Sequence, residues 1–405
     1  MTGVLDGVRV LDFGRFIAGP WCGALLGDLG AEVIRVEKVD GGEDRGLYPV
    51  STEDGSGAMF IHCNRNKLGM TLNPTKPEGR AIQDKLIATA DIVLANMPDR
   101  ALKQLGLDYD TLKAIKPDII LVTATAFGTT GPYAEKVGLD SVAQAMSGNM
   151  EMSGTPGQPI KSFSPWVDYN TATYAAFGTM AALMHRTATG EGQEVQGALL
   201  ATALTTTNSI LIEQDLLQAN RQASGNRGQL SAPSDDCKTK DGHIFVTSAG
   251  QPMFDRWAAL MIEDDREQGI ESEIDWLGDP RFKDDPARGT HAEFISTRLK
   301  RWCAARTTDE ALAQLAEVRI PAAPVFTLQE SLDNEHVRES GMLTPTPYPG
   351  TNKDAPIAST PVRMTATPGT IRARAPMLGE HTDQVLGSLG YGVDQIAALR
   401  EKRVV

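Results

Sequence analysis

The sequence predicts an α/β fold with a parallel sheet in a large first domain and a second, smaller α/β domain after it. Three observations predict this. The 405 residues exceed the roughly 100–200 that one hydrophobic core usually organises. In the first half, short apolar runs of strand type alternate with stretches of helical period, the pattern of parallel strands joined by helices. The composition then shifts at Ser224–Pro233, SGNRGQLSAP, a Gly/Ser/Pro-rich stretch of linker type.

The elements follow in order. Val8–Phe13 (VRVLDF) is a strand. Gly19 and Pro20 open a helix, with the proline near its first position and Gly30 just past its end, the usual asymmetry of helix ends. Glu32–Glu37 (EVIRVE) is the next strand, and Pro77 starts a helix that sets Ile82 and Leu86 on one face. Asp91–Ala95 and Asp118–Thr123 are two more strands, separated by short helices around Leu102 and Leu112. Ligands of such sheets sit beyond the carboxyl ends of strands, which directs attention to the loops after Phe13, Glu37, Ala95 and Thr123. Asp168 to about Arg186 reads as a buried helix rich in Ala, Thr and Gly, followed by the strand-like EVQGALL and a long helix to about Gln218. Residues 240–327 carry strands HIFVTSA and AAPVFT with helices near 251–262, 291–304 and 308–317. Pro- and Thr-rich 341–370 is a second linker, and 382–389 and 393–401 are helical.

Composition narrows function. Apolar residues at 41% and charged residues at 22% exclude wholesale disorder. A net charge of −13 lacks the basic footprint of a nucleic-acid binder. No apolar run reaches the roughly 18–20 residues of a membrane span, and MTGVLDGVRVLDF has no signal-peptide pattern, so a cytoplasmic protein is expected. Cys22, Cys63, Cys237 and Cys303 lie far apart without a CxxC pair and read as scattered thiols rather than disulfides. The six histidines show no ligand spacing, so no metal is expected. Nucleotide-binding, hydrolase and metalloprotease motifs are all absent.

What remains is a carboxylate and a set of cations. Asp168 stands at the entrance of a small-residue helix. It can be an N-cap, or a nucleophile toward an acyl group, with nearby amides holding the oxyanion. Arg35 and Lys38 go with the strand Glu32–Glu37, Arg65 and Lys67 lie in CNRNKLG, and Asn96 and Arg100 follow the fourth apolar run. They are either solvated surface or a site for an anionic ligand such as a nucleotide phosphate.

Six segments carry a resemblance: LDGVRVLDFGRFIAGPWCGALLGDLGAEVIRVE, NRNKLGMTLNPTKPEGR, ANMPDRALKQLGLDYDTL, GLDSVAQAMSG, VDYNTATYAAFGTMAALMHRTATGEGQEV and APMLGEHTDQVL. In this order, over nearly the whole chain, they resemble the class III CoA-transferase family. The resemblance implies a Rossmann-like large domain (1–223, completed by 371–405), linkers at 224–239 and 341–370, a smaller inserted domain at 240–340, and an interlocked homodimer. It implies that Asp168 is the catalytic nucleophile, working through an aspartyl anhydride and an aspartyl-CoA thioester. Coenzyme A or acyl-CoA is then a substrate rather than a tightly bound cofactor, and a small carboxylic acid its partner. The coenzyme would meet Arg35 or Lys38 near its adenine and phosphates, with Leu72, Asn96, Met97, Arg100, Lys136 and Asp140 along the groove.

The sequence also departs from relatives. Lys38 stands where several have Arg, and Gln104 replaces a frequent Arg. The Gly-rich loop of formyl-CoA transferase is missing around Leu230–Asp235, and Ile17 replaces that enzyme's Gln. These losses argue against formate and oxalate as the natural pair. Leu139 occupies the place of a racemase histidine, which weakens the isomerase alternative. A non-catalytic CoA-binding protein is the other alternative. Arg15, and Arg45 with Tyr48 in the Gly-rich GGEDRGLYP, are candidates for the distal carboxylate of a dicarboxylic substrate, unless the two arginines serve the coenzyme or Glu43 and Asp44.

Overall fold

The computed structural model describes residues 3–271 and 274–405. The chain forms two compact units: Met1–Asn149, Ser162–Leu217 and Glu335–Val405 make the first, Met150–Lys161 and Gln218–Asn334 the second.

The first unit is built on six parallel strands: β1 (Arg9–Asp12), β2 (Glu32–Glu37), β3 (Lys67–Thr71), β4 (Ile92–Ala95), β5 (Ile120–Thr125) and β6 (Glu194–Ala198). Their order is β3-β2-β1-β4-β5-β6, the doubly wound arrangement whose ligand crevice lies where β1 is flanked by β2 and β4. Alternate residues face opposite layers, as the two-residue period of a strand requires. Leu11, Ile34, Val93 and Leu121 join one core with Ile82, Leu86, Leu399 and Val404. Val10, Val33, Leu94 and Val122 join the other with Trp21, Leu26, Ala172 and Ala175. The helices are α1 (Ala18–Asp28), α2 (Ala58–Cys63), α3 (Pro77–Thr89), α4 (Asp99–Leu105), α5 (Tyr109–Ile115), α6 (Asp140–Met146), α7 (Trp166–Thr189) and α8 (Leu199–Leu217). Helices Thr382–Ser388 and Val393–Glu401 close the unit.

Strand β3 has no counterpart among the strands expected from the sequence, which leaves Arg65 and Lys67 open as either solvated surface or an anion site. Both are fully buried and paired instead: Arg65 with Asp28 at 2.7 Å and Lys67 with Asp12 at 2.7 Å. A short strand that begins with a lysine hides its identity, because the partner that neutralises the charge lies 55 positions away.

In the second unit, β7 (Ser234–Lys238), β8 (His243–Thr247) and β9 (Ala322–Pro324) form an antiparallel sheet in the order β7-β8-β9. It packs on a core that includes Trp257, Trp276, Trp302, Leu299 and Phe254. Strand β7 falls within the expected linker 224–239. Its sequence SDDCK is polar, yet Asp235 is buried because Lys300 lies 2.6 Å from it and Ser296 donates to it. The expected linker 341–370 contains a hairpin, Leu343–Thr346 with Ala355–Ala358. All four cysteines are free and buried. Among the described residues, no helix is long and apolar enough to cross a membrane.

Candidate active site

At the switch point, β1 leads into a turn, residues 14–17, that is pinned from every side. Asp12 accepts from the Gly14 amide at 2.8 Å, and Lys67 holds Asp12 while also donating to Pro20 O and Asn64 Oδ1. Burial works against a charge on Asp12, but Lys67 and Arg35 outweigh it and hold its carboxyl below the ordinary range. Arg35 donates to Gly14 O and pairs with Asp44 at 2.8 Å, and Asp44 accepts from the Phe16 amide. The Asn96 side chain, just past β4, takes both backbone groups of Arg15, at 2.6 and 2.8 Å. These bonds hold Phe16 at φ 60°, a left-handed conformation that costs a side-chain-bearing residue roughly 1–2 kcal/mol. No Cβ fits at Gly14, where it would lie 2.8 Å from Asp12 Oδ1 and 2.9 Å from the Gly19 Cα.

Beside this turn opens a cavity of about 480 Å³ lined by Arg15, Lys38, Leu72, Met97, Lys76 and Arg403, among others. The structure thus brings Arg15, Lys38, Leu72 and Met97 to one place, with Arg35 in the wall. Arg15 and Lys38 share Glu43, at 3.5 and 2.5 Å, and remain about half exposed. Lys76 and Arg403 escaped the sequence reading. Lys76 followed the unrecognised β3, and Arg403 lies more than 300 positions away with no local signal.

Other expected ligands have different work. Arg35 is 1% exposed and committed to the turn. Asn96 is bound to Arg15. Arg45 is not free to meet a substrate carboxylate: it is buried, paired with Glu37 at 2.7 Å, and its guanidinium lies 4.0 Å from the Phe60 ring centroid. Tyr48 is exposed, as are Arg100 on α4 and Lys136, whose ammonium stands over Tyr133. Ile17 is buried as the residue before α1, and Leu139 lies exposed before α6.

Three helix starts meet near Asp168. Ala18 opens α1, and it shares a small apolar cluster with Ala143 of α6 and Val167 of α7. Helix α7 begins after Pro165, which offers no capping side chain. Asp140 takes that role from another helix: its Oδ2 accepts from the amides of Val167 at 2.8 Å and Asp168 at 3.2 Å. Asp140 is therefore a cap that fixes the backbone of Asp168. Neighbouring Tyr169 is wedged against Trp21, edge-on at 5.4 Å, and Trp21 stacks on His62 at 4.5 Å. Burial and the Arg65 charge lower the His62 pKa to about 4, so it packs as a neutral ring. Asp168 itself has no cation or donor on its carboxylate among the described residues. Burial first, and the Asp140 charge second, push its pKa up to about 7, against the direction in which a helix start acts. Strong displacement by burial and a specific neighbouring charge is a mark of a functional carboxylate. No group of His, Cys, Asp and Glu among the described residues is arranged to hold a metal ion.

A doubly wound parallel sheet, a cation-rimmed cavity at its switch point and an unpaired carboxyl with a raised pKa together define a Rossmann-type α/β enzyme. The sequence profile of CoA-transferase family III matches residues 5–382. The chain is 33% identical to the succinyl-CoA–D-citramalate CoA-transferase of Chloroflexus aurantiacus, over 99% of this chain and 98% of that one. It is 32% identical to the succinate–glutarate CoA-transferase of Agrobacterium fabrum, over 95% of each. A CaiB/BaiF family protein from Brucella suis superposes with a TM-score of 0.82 at 30% identity, covering 96% of this chain and 100% of that chain. The chain belongs to CoA-transferase family III, and by that membership is a CoA-transferase.

The position of Asp168 has a measurable cost in stability. Between its ordinary value of 3.8 and its folded value near 7, the folded state keeps a proton that the unfolded chain has lost. Stability therefore falls as pH rises through that window. Asp168→Asn is expected to match the parent in thermal or urea unfolding near pH 4. Above pH 7 it should be the more stable by on the order of a few kcal/mol. An unchanged pH dependence would contradict the burial of an unpaired carboxyl there.

Proposed function

We propose that Asp168 is the nucleophile of the transfer reaction, and that a C4–C5 dicarboxylyl-CoA, succinyl-CoA first among them, is the donor to a small carboxylic acid. The observation that carries this reading is the unpaired Asp168 carboxyl, seated by Asp140 next to Val167, which shares an apolar cluster with Ala18, the residue that follows the turn bordering the cation-rimmed cavity. The cavity takes the nucleotide end of the coenzyme, and the turn leads its thioester toward Asp168.

Ionised Asp168 attacks the thioester carbonyl. The C–S bond breaks, CoA leaves as thiolate, and an aspartyl–acyl anhydride remains. The thiolate attacks the aspartyl carbonyl, expels the donor acid as carboxylate and leaves an aspartyl-CoA thioester. The acceptor carboxylate then attacks that carbonyl and displaces the thiolate, which takes the acceptor acyl group and frees Asp168. One thioester is exchanged for another, so the sequence conserves its bond energy. The first amides of α1, which a helix leaves without internal acceptors, stand near α7 and suit the developing oxyanion. Water must be excluded while the anhydride exists.

Asp168→Ala is expected to abolish transfer while CoA binding and folding persist. Hydroxylamine added during turnover should leave a hydroxamate on Asp168 of the parent, seen by peptide mass spectrometry. Transfer by the Ala variant would overturn the mechanism.

Two features support a dicarboxylic donor. Several relatives carry succinyl-CoA in their names, including a succinyl-CoA:mesaconate CoA-transferase of Haloarcula hispanica that is 31% identical. Arg15 is half exposed at the cavity, and its 3.5 Å contact with Glu43 is a weak solvent-facing pair that a substrate carboxylate can replace. Arg45, locked on Glu37, leaves this role to Arg15. A kcat/KM at least about a hundredfold higher for succinyl-CoA than for butyryl-CoA is expected, equivalent to roughly 3 kcal/mol. Arg15→Met should remove most of the preference. Equal use of the two thioesters by the parent would point to an apolar acyl pocket.

The same reading includes a cytoplasmic homodimer. Tyr174, Phe177 and Met184 of α7 and Leu211, Ile212, Leu216 and Leu217 of α8 are exposed, more apolar surface than a monomer usually leaves in water. Sedimentation at nanomolar concentration should give a dimer; a folded monomer there would remove this part of the proposal.

A further inference from the structure

Within the cavity the cations fall into two groups. Arg15 and Lys38 lean on one carboxylate, Glu43. Lys76 and Arg403 form the second group, beside Asp40. Nothing in the local sequence joins these two residues. They meet because the chain after helix Val393–Glu401 is stitched to the loop that follows β3. The Asn73 amide donates to Val404 O at 2.7 Å, Lys76 Nζ donates to Lys402 O, and Lys402 pairs with Glu78 at 3.0 Å. Val404 and Val405 are buried in the same core as Leu72. Arg403 has φ 52°, a reversal that sends the following valines into the core while the arginine side chain lines the cavity. It is a wall residue on an anchored segment.

The charges of this group are available. Lys76 donates to a neutral carbonyl and has no carboxylate within ion-pair distance among the described residues. Among the described residues Arg403 pairs only with Asp40, and both side chains are largely exposed, at 63% and 73%, so water and salt already weaken that contact. A guanidinium fork and an ammonium lining one cavity match a phosphate monoester: the fork binds two oxygens and the point charge a third. Coenzyme A carries two separate anionic groups on its nucleotide end, the diphosphate and the 3′-phosphate of the ribose. The cavity offers two pairs of cations that differ in the groups holding them, Glu43 for one and Asp40 with the Lys402 carbonyl for the other.

We infer that Arg403 and Lys76 form the site that reads the 3′-phosphate of coenzyme A, and that this pair makes the enzyme discriminate against dephospho-CoA species. The inference rests on the reading that the cavity takes the nucleotide end of CoA. Asp40 is then a gate on the site, displaced from Arg403 when the phosphate arrives.

Calorimetric titration with CoA and with dephospho-CoA tests it on the full-length protein. The parent should bind CoA at least about tenfold more tightly than dephospho-CoA, the scale of a charge-assisted contact. Arg403→Gln should cut that ratio to about threefold or less while leaving the affinity for dephospho-CoA unchanged, whereas Arg403→Lys should keep most of it. Asp40→Asn should act in the opposite sense, tightening CoA about two- to fivefold without affecting dephospho-CoA. A ratio unchanged in Arg403→Gln, or an equal loss for both ligands, overturns the assignment while leaving the CoA-binding cavity intact. Failure of the parent to bind CoA at all overturns the proposed function with it.

Discussion

Two buried ion pairs, Asp12 with Lys67 and Asp44 with Arg35, are the constraint from which the rest of the site follows. They lie under the turn after β1 and hold a backbone that would not adopt its shape unaided. Breaking one partner of such a pair typically costs about 3–5 kcal/mol, because the other charge is left buried and alone. The turn borders the cavity on one side and leads on the other into α1, whose Ala18 packs near α7. Buried electrostatics thus fix the turn between the cavity and the start of α1.

The protein separates structural from available charge by depth. Arg35, Arg65 and Lys67 are at most 2% exposed, and each is paired with a buried carboxylate. Arg15, Lys38, Lys76 and Arg403 stand at the cavity with weak, exposed or neutral partners. A chain with a net charge of −13 can in this way present a local surplus of cations to an anionic ligand, because field lines concentrate in a low-dielectric cleft.

This division marks what was legible in the sequence. Strands such as Glu32–Glu37 and the helix after Pro77 announce themselves through apolar period and end signals that are local. Asp168 was visible as a carboxylate at a helix entrance, and the segment around it carried the family resemblance. Arg35 and Lys67 could not be told from surface cations, because their partners are distant in sequence and only the fold unites them. Strands β3 and β7 failed for the same reason: each contains charges that look solvated until the partner is known. Arg403 was invisible, since nothing near it hints that the valines after it enter the core of the first unit.

One carboxylate, Asp140, both seats the backbone of Asp168 and opposes its ionisation. Placement and acidity of the reactive group are therefore inherited as a single trait. A substitution at position 140 that made Asp168 easier to ionise by removing the charge would also exchange the acceptor that anchors the start of α7. Under the proposed function, divergence can explore new acids through the cavity rim, where Arg15 is loosely held, far more freely than it can retune Asp168. Substrate range is the part of this enzyme that evolution can vary independently, and the reaction itself is the part it must keep whole.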